Sequence, residues 1–271
     1  MSTAWFKQNF KPKLIESFSK TSKDIHGRKQ KKCVEIWHTT CVVRNFGKTK
    51  SSRCNVLINP TSPSLLGVKK FSYFPKGGPQ PSHPPTKKEH HIMGYVRSWG
   101  SIDTHDGMIF PFNVVDGIVH ELGGWKLDLS CFLVSKNKNG DRCSVGEACL
   151  TGPGGDELAR EYDYIVHTVP PFFEHYEGSP MDALYLSYKN SIELSNKCGD
   201  ENNRLATVLL GAGCRGFPIN NAIEAATKAS TNLLKNEDIH VTNDTTLAFA
   251  ITQMNVAEEL VCSIKEEMNE E

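Results

Sequence analysis

The stretch Arg204-Leu-Ala-Thr-Val-Leu-Leu-Gly211-Ala212-Gly213-Cys214-Arg215-Gly216-Phe217-Pro218 runs from an apolar segment into a glycine-rich loop and restarts at a proline. Ala206, Thr207, Val208, Leu209 and Leu210 make the short continuous apolar run expected of a parallel strand covered on both faces. Gly211, Gly213 and Gly216 follow, and without a Cβ they let backbone N–H groups approach a ligand closely. Pro218 suits a first helical turn, and beyond it Ile219, Ala222, Ile223, Ala226 and Leu233 recur at helical spacing. A helix N-terminus beside such a turn offers unpaired N–H groups and the positive end of a dipole. The segment therefore reads either as an anion-holding loop or as a tight connection.

The 271 residues are long for one domain and short for two, which predicts one domain with extensions and insertions. A hydrophobic content of 38% is enough to fill a core. With 31 basic and 31 acidic residues the formal net charge is zero, so no global field draws the chain to nucleic acid or to an anionic membrane. Charge is nevertheless uneven. Residues 1–32 carry nine Lys/Arg against Glu16 and Asp24, whereas the sequence closes on Glu266-Glu-Met-Asn-Glu-Glu271. The cluster Arg28-Lys-Gln-Lys-Lys32 leaves two readings open, a solvated end or a nuclear-import or RNA-touching segment. The absence of any run of about 18 apolar residues argues against a membrane span. No apolar secretory core stands at the N-terminus, and an intracellular protein, cytoplasmic or nuclear, is expected. The nine cysteines are odd in number and include no C-x-x-C pair, which fits small buried thiols in a reducing compartment.

Strands are predicted at 33–43, 53–59, 146–151 and 162–169, with a last one marked by Leu247, Phe249 and Ile251. Helices are predicted at 113–122, stopped by Gly123-Gly124; from Ser179-Pro180 to Gly199; and at 255–268. Between about 68 and 112 lies a long irregular segment with Pro75, Pro79, Pro81, Pro84, Pro85 and Gly77-Gly78. Strands alternating with helices imply an α/β fold with a largely parallel or mixed sheet. In such folds ligands bind outside the carboxyl ends of the strands, where both the glycine loop and Asn59 fall.

Four segments, in order, resemble the macro domain, the three-layer α/β/α module that binds ADP-ribose. Val56-Leu-Ile-Asn59-Pro-Thr-Ser62-Pro-Ser-Leu-Leu-Gly67 is similar to the family's V-N-A-A-N-x-x-L-x-G, and Val115-Asp116-Gly-Ile-Val-His120 to its V-D-G-x-I-H. Gly146-Glu-Ala148 with Tyr164-Ile-Val-His-Thr-Val169 resembles its G-E-A and Y-V-I-H-T-V, and Gly211 to Pro218 its S-T-G-V-Y-G-Y-P. The resemblance covers about residues 33–268. It implies a macro domain at 33–271 with an insertion at about 68–112, preceded by a basic extension at 1–32.

The resemblance further implies a cleft for ADP-ribose or an ADP-ribosylated protein, with no cofactor and no metal, in a chain acting as a monomer. Asn59 would contact the distal ribose, and Asp116 would orient substrate or a water there, or else complement its own helix dipole. Gly211, Ala212, Gly213, Cys214, Arg215, Gly216 and Phe217 would form the second phosphate loop. Arg215 is either a charge-assisted phosphate contact or a solvated loop residue. Cys214 mimics a Gly-x-nucleophile-x-Gly elbow, but Ala212 breaks the pattern, so it is read as a loop residue. Ser62 replaces the family's second asparagine. Gly77 and Gly78, with Lys76 beside them, would supply the first phosphate loop or a surface flap. Trp37-His38-Thr39-Thr40 lacks the aspartate that reads adenine, and the sequence does not fix a position for Asp182 or Asp244 from which either would replace it. His120 and His167 read as packed residues, and His83, His90 and His91 lack ligand spacing. Three functions stay open: hydrolysis of ADP-ribosyl derivatives by water attack at the distal ribose, a non-catalytic reader, and an interaction or RNA-binding module with a vestigial cleft.

Overall fold

The computed structural model describes residues 11–23, 28–68, 74–75, 108–109, 114–199 and 201–270. In chain order the elements are β1 (Lys13–Lys23), β2 (Lys29–His38), α1 (Val42–Asn45), β3 (Val56–Pro60), β4 (Phe74–Pro75), β5 (Met108–Ile109) and α2 (Val115–Leu133). They continue as β6 (Ala148–Thr151), α3 (Asp156–Glu161), β7 (Tyr164–Thr168), α4 (Pro180–Leu194), β8 (Asn202–Thr207), α5 (Ile219–Lys235), β9 (Asp244–Ile251) and α6 (Met254–Asn269).

Seven strands form one sheet in the order β1-β2-β9-β8-β3-β7-β6. The five inner strands run parallel, and β1 and β6 close the two edges antiparallel. The period of two along a strand sorts the side chains to two cores. Val34, Ile36, Val56, Ile58, Leu205, Leu247 and Phe249 face α4, α5 and α6. Leu57, Ile165, Ala206 and Ala248 face α1, α2 and α3. The result is the three-layer α/β/α arrangement the sequence predicts, with β4 and β5 paired apart from the main sheet.

Several boundaries move, each for a physical reason. β1 pairs with β2 from Lys13 to Lys23, so the sheet takes in residues that composition had set aside as a basic extension. Strand β2 ends at His38, and the stretch predicted to continue it to residue 43 enters α1, capped by Cys41. Strand β8 stops at Thr207, and Val208, Leu209 and Leu210, whose apolar character suggests strand, leave the sheet. The glycine pair 123–124 does not end α2 but breaks it, Gly124 adopting φ 57 and ψ −158. Helix resumes because Leu127 and Cys131 keep the core-facing spacing and are fully buried. The predicted helix from Ser179 begins with the hydroxyl of Ser179 capping Asp182 N at 3.2 Å and proline at the first turn. Among the described residues no helix is long and apolar enough to cross a membrane.

Candidate functional site

A cavity of about 350 Å3 opens at the carboxyl ends of the parallel strands. The turn after β3 (Pro60, Thr61, Ser62), the loop after β8 (Val208 to Arg215), the end of β9 (Ala250, Ile251) with Thr252 and Gln253, and Phe172 beyond β7 line it. Asp116 and Arg215 are the only charged side chains on its wall among the described residues.

The glycine loop is shaped by its own packing. Gly211 has φ 86, and a Cβ there would stand 2.9 Å from the Phe217 ring. Phe217 is buried against Phe173, ring centroids 5.0 Å apart, and its N–H bonds Gly211 O, which closes the loop. Gly216 N donates to Gly213 O at 3.2 Å. Gly216 and Phe217 thus hold the loop from behind and are not on the cavity wall, whereas Gly211, Ala212, Gly213, Cys214 and Arg215 are. The N–H groups of Ala212 and Gly213 make no backbone bond among the described residues. Helices α5 and α6 both begin at the cavity, at Ile219 and after Gln253, without a side-chain cap or an acidic residue in the first turn. Their orphan N–H groups and positive dipole ends favour an anion.

Arg215 is 8% exposed. Its guanidinium donates to Thr61 O and lies over the Phe172 ring, 4.2 Å from the centroid. These are a carbonyl and an aromatic face rather than a carboxylate, and burial pushes its pKa down. A buried cation so placed gains from an anionic ligand in the cavity. Cys214 faces the same space, and desolvation pushes its thiol pKa up, which keeps it protonated and a poor nucleophile.

The opposite wall is built from a buried polar network. Strand alternation turns Asn59 to the α2 side together with its cross-strand neighbour His167. Asn59 Nδ2 donates to Asp116 Oδ1 at 2.9 Å and to His167 Nδ1 at 3.2 Å, using both amide hydrogens. His167 Nε2 in turn meets Thr151 Oγ1 at 2.8 Å. Burial, with His120 nearby, drops the His167 pKa to about 3, so the ring is neutral. Asp116 is 3% exposed, and its Oδ2 is buried without a hydrogen-bond partner among the described residues. Its carboxylate bonds Asn59 across the layer, and from the first turn of α2 it also stands at the positive end of that helix's dipole.

Of the residues singled out in the sequence, Ser62, Asp116 and Gly211 to Arg215 come together on the wall. Asn59 stands behind Asp116, fully buried, and reaches the cavity only through it. The Ser62 hydroxyl lies 3.1 Å from that of Ser64. Gly77, Gly78, Lys76, His83, His90 and His91 lie outside the described residues. Asp244 sits at the amino end of β9, bonded to Lys31 N at 2.8 Å, and Asp182 opens α4; neither lines the cavity. Sequence reasoning did not single out Phe172, Thr252, Gln253 or Val256, although the rule that ligands meet strand carboxyl ends points to the end of every parallel strand.

The three-layer α/β/α fold is the one found in solved macrodomain structures. The family model described as Macro domain matches residues 111–226. An uncharacterised protein of Thermoplasma volcanium is 34% identical over 133 residues, 47% of this chain and 64% of the relative. The O-acetyl-ADP-ribose deacetylase 1 of Pantoea vagans is 29% identical over 112 residues, 41% of this chain and 61% of the relative. The chain thus spans less than two thirds of the length of these curated relatives. The Oceanobacillus iheyensis macrodomain with ADP matches with a TM-score of 0.56 at 16% identity, covering 95% of this chain and all of the other. The Trypanosoma brucei macrodomain in complex with ADP matches with a TM-score of 0.52 at 17% identity, covering 85% and 68%. The chain is similar to macro domains in fold and over residues 111–226 in sequence.

Proposed function

We propose that the cavity binds ADP-ribose and hydrolyses ADP-ribosyl derivatives at the distal ribose. The observation that carries this reading is the opposition of two walls. A glycine loop with open N–H groups, flanked by two uncapped helix N-termini and the Arg215 guanidinium, faces a buried carboxylate whose Oδ2 has no partner. The first wall suits a diphosphate and the second a polar group or water at the adjoining sugar. In the step, a water oxygen bonds the anomeric carbon, the bond to the departing carboxylate breaks, and the Asp116 carboxylate takes the water's proton. Asn59 holds Oδ1, and Oδ2 has no partner among the described residues. The name of the Pantoea vagans relative lends support to ADP-ribose chemistry. A non-catalytic reader is the second reading, favoured by Ser62, whose short hydroxyl is turned to Ser64.

Calorimetric titration with ADP-ribose tests binding, on the wild type and on Gly213→Glu. A Cβ at Gly213 meets nothing within 4 Å, and a carboxylate carried from there into the phosphate position repels the ligand. Affinity is expected to fall at least tenfold, about 1.4 kcal/mol. A release assay on mono-ADP-ribosylated protein then separates the readings. Asp116→Ala should abolish release while changing affinity far less, and binding by the wild type without release identifies a reader. A wild type that does not bind sinks both.

A further inference from the structure

Asp116, His120 and Asp128 all lie on α2, yet a straight helix does not bring them together. Asp116 and His120 are one turn apart and share a face. Asp128 is eight residues beyond His120, roughly 12 Å along a straight axis. Its Oδ1 nevertheless stands 2.8 Å from His120 Nδ1, because the helix breaks at Gly124 and its second half changes course. His120 is fully buried, and its Nε2 lies 3.5 Å from Asp116 Oδ1 with no hydrogen-bond partner among the described residues. The Asp128 side chain is 36% exposed, so it links the buried ring to solvent.

We propose that Asp128 is a positioning residue for Asp116, acting through His120. A carboxylate only accepts, so the bond at 2.8 Å places the ring proton on Nδ1. That fixes the tautomer and turns Nε2 toward the carboxylate that faces the cavity. Nε2, 3.5 Å from Asp116 Oδ1, is then the ring position that can accept a proton from that carboxyl group once it has taken one from water. Facing His120 from β7 is His167, kept neutral by burial. From the loop after β3 comes Gly67, where a Cβ would stand 2.7 Å from the ring. Neither of these carries charge near neutral pH, so the two aspartates set the field at the ring. The inference rests on the hydrolytic reading above.

The test uses the full chain, with kcat and KM for release from mono-ADP-ribosylated protein, ADP-ribose affinity by calorimetry, and 15N spectra of labelled histidines. Asp128→Ala is expected to lower kcat at least tenfold, keep affinity within twofold, and lose the Nδ1–H signal of His120. Asp128→Asn, whose amide oxygen still accepts from Nδ1–H, should recover the tautomer and part of kcat. An unchanged tautomer in Asp128→Ala overturns the proposal, as does a loss of kcat accompanied by an equal loss of affinity. If the wild type binds ADP-ribose and turns over nothing, the hydrolytic reading and the catalytic consequence both fall. The histidine spectrum then still decides whether Asp128 fixes the ring.

Discussion

Replacing Gly124 by alanine isolates the backbone conformation that bends α2. At φ 57 and ψ −158 the residue occupies a region that side-chain-bearing residues avoid, at a cost of about 1–3 kcal/mol. A Cβ there meets nothing within 4 Å, so no clash contributes. Alanine also restricts the unfolded chain, which offsets about 0.4–1 kcal/mol. The net expectation is a loss of about 1–2 kcal/mol, and at roughly 2–4 °C per kcal/mol for a chain of this size the midpoint falls by several degrees. Gly213→Ala is the matched control, because a Cβ there is equally unobstructed and its backbone is not in the left-handed region. Urea unfolding of wild type and both variants reads the difference directly. If Gly124→Ala is as stable as Gly213→Ala, the helix accommodates an ordinary residue at the break. Gly124 would then not be needed to bring Asp128 to His120.

Two further outcomes bear on the polar network. Gly67→Ala combines φ +70 with a Cβ placed 2.7 Å from the His120 ring, so it should cost more than Gly124→Ala and shift the His120 resonances in a 15N histidine spectrum; an unperturbed ring would contradict it. His167 titrates at about 3 in the folded protein and near 6.5 when unfolded, so between those values the unfolded chain holds a proton the folded one lacks. This contribution is complete above pH 6.5 and is lost as pH falls toward 3, at up to about 1.4 kcal/mol per pH unit. His167→Gln should flatten that part of the stability profile in urea midpoints taken from pH 7 to pH 4, and parallel profiles for the two proteins would count against it.

Much of the architecture was legible because its cause is local or periodic. The helix from Ser179-Pro180 announces itself by a cap and a proline. The helix after Pro218 does so by the spacing of Ala222, Ile223, Ala226 and Leu233, all buried. What local pattern misreads is where pairing stops. Val208 to Leu210 are as apolar as a strand, but β8 leaves β9 at Thr207 and those residues become wall and loop. Likewise the basic residues of 13–32 resemble a solvated extension in composition, yet half of each strand's polar groups need a partner strand, and β1 and β2 supply one another.

The same division runs through the site. The glycine loop, the proline that follows it and Asp116 at the start of a helix are read from the sequence, since each follows from glycine's missing Cβ, proline's fixed φ or helix polarity. Which side chain touches which depends on the third dimension. Strand alternation sends Asn59 behind Asp116 instead of into the cavity. Burial without a carboxylate makes Arg215 a cation facing the cavity rather than a solvated loop residue. One glycine bend brings Asp128 beside a histidine two turns away. Sequence alone determined the order of elements and the character of the loop, because these are properties of neighbouring residues. Tertiary structure decided the partners of each polar group, because those contacts join residues far apart in the chain.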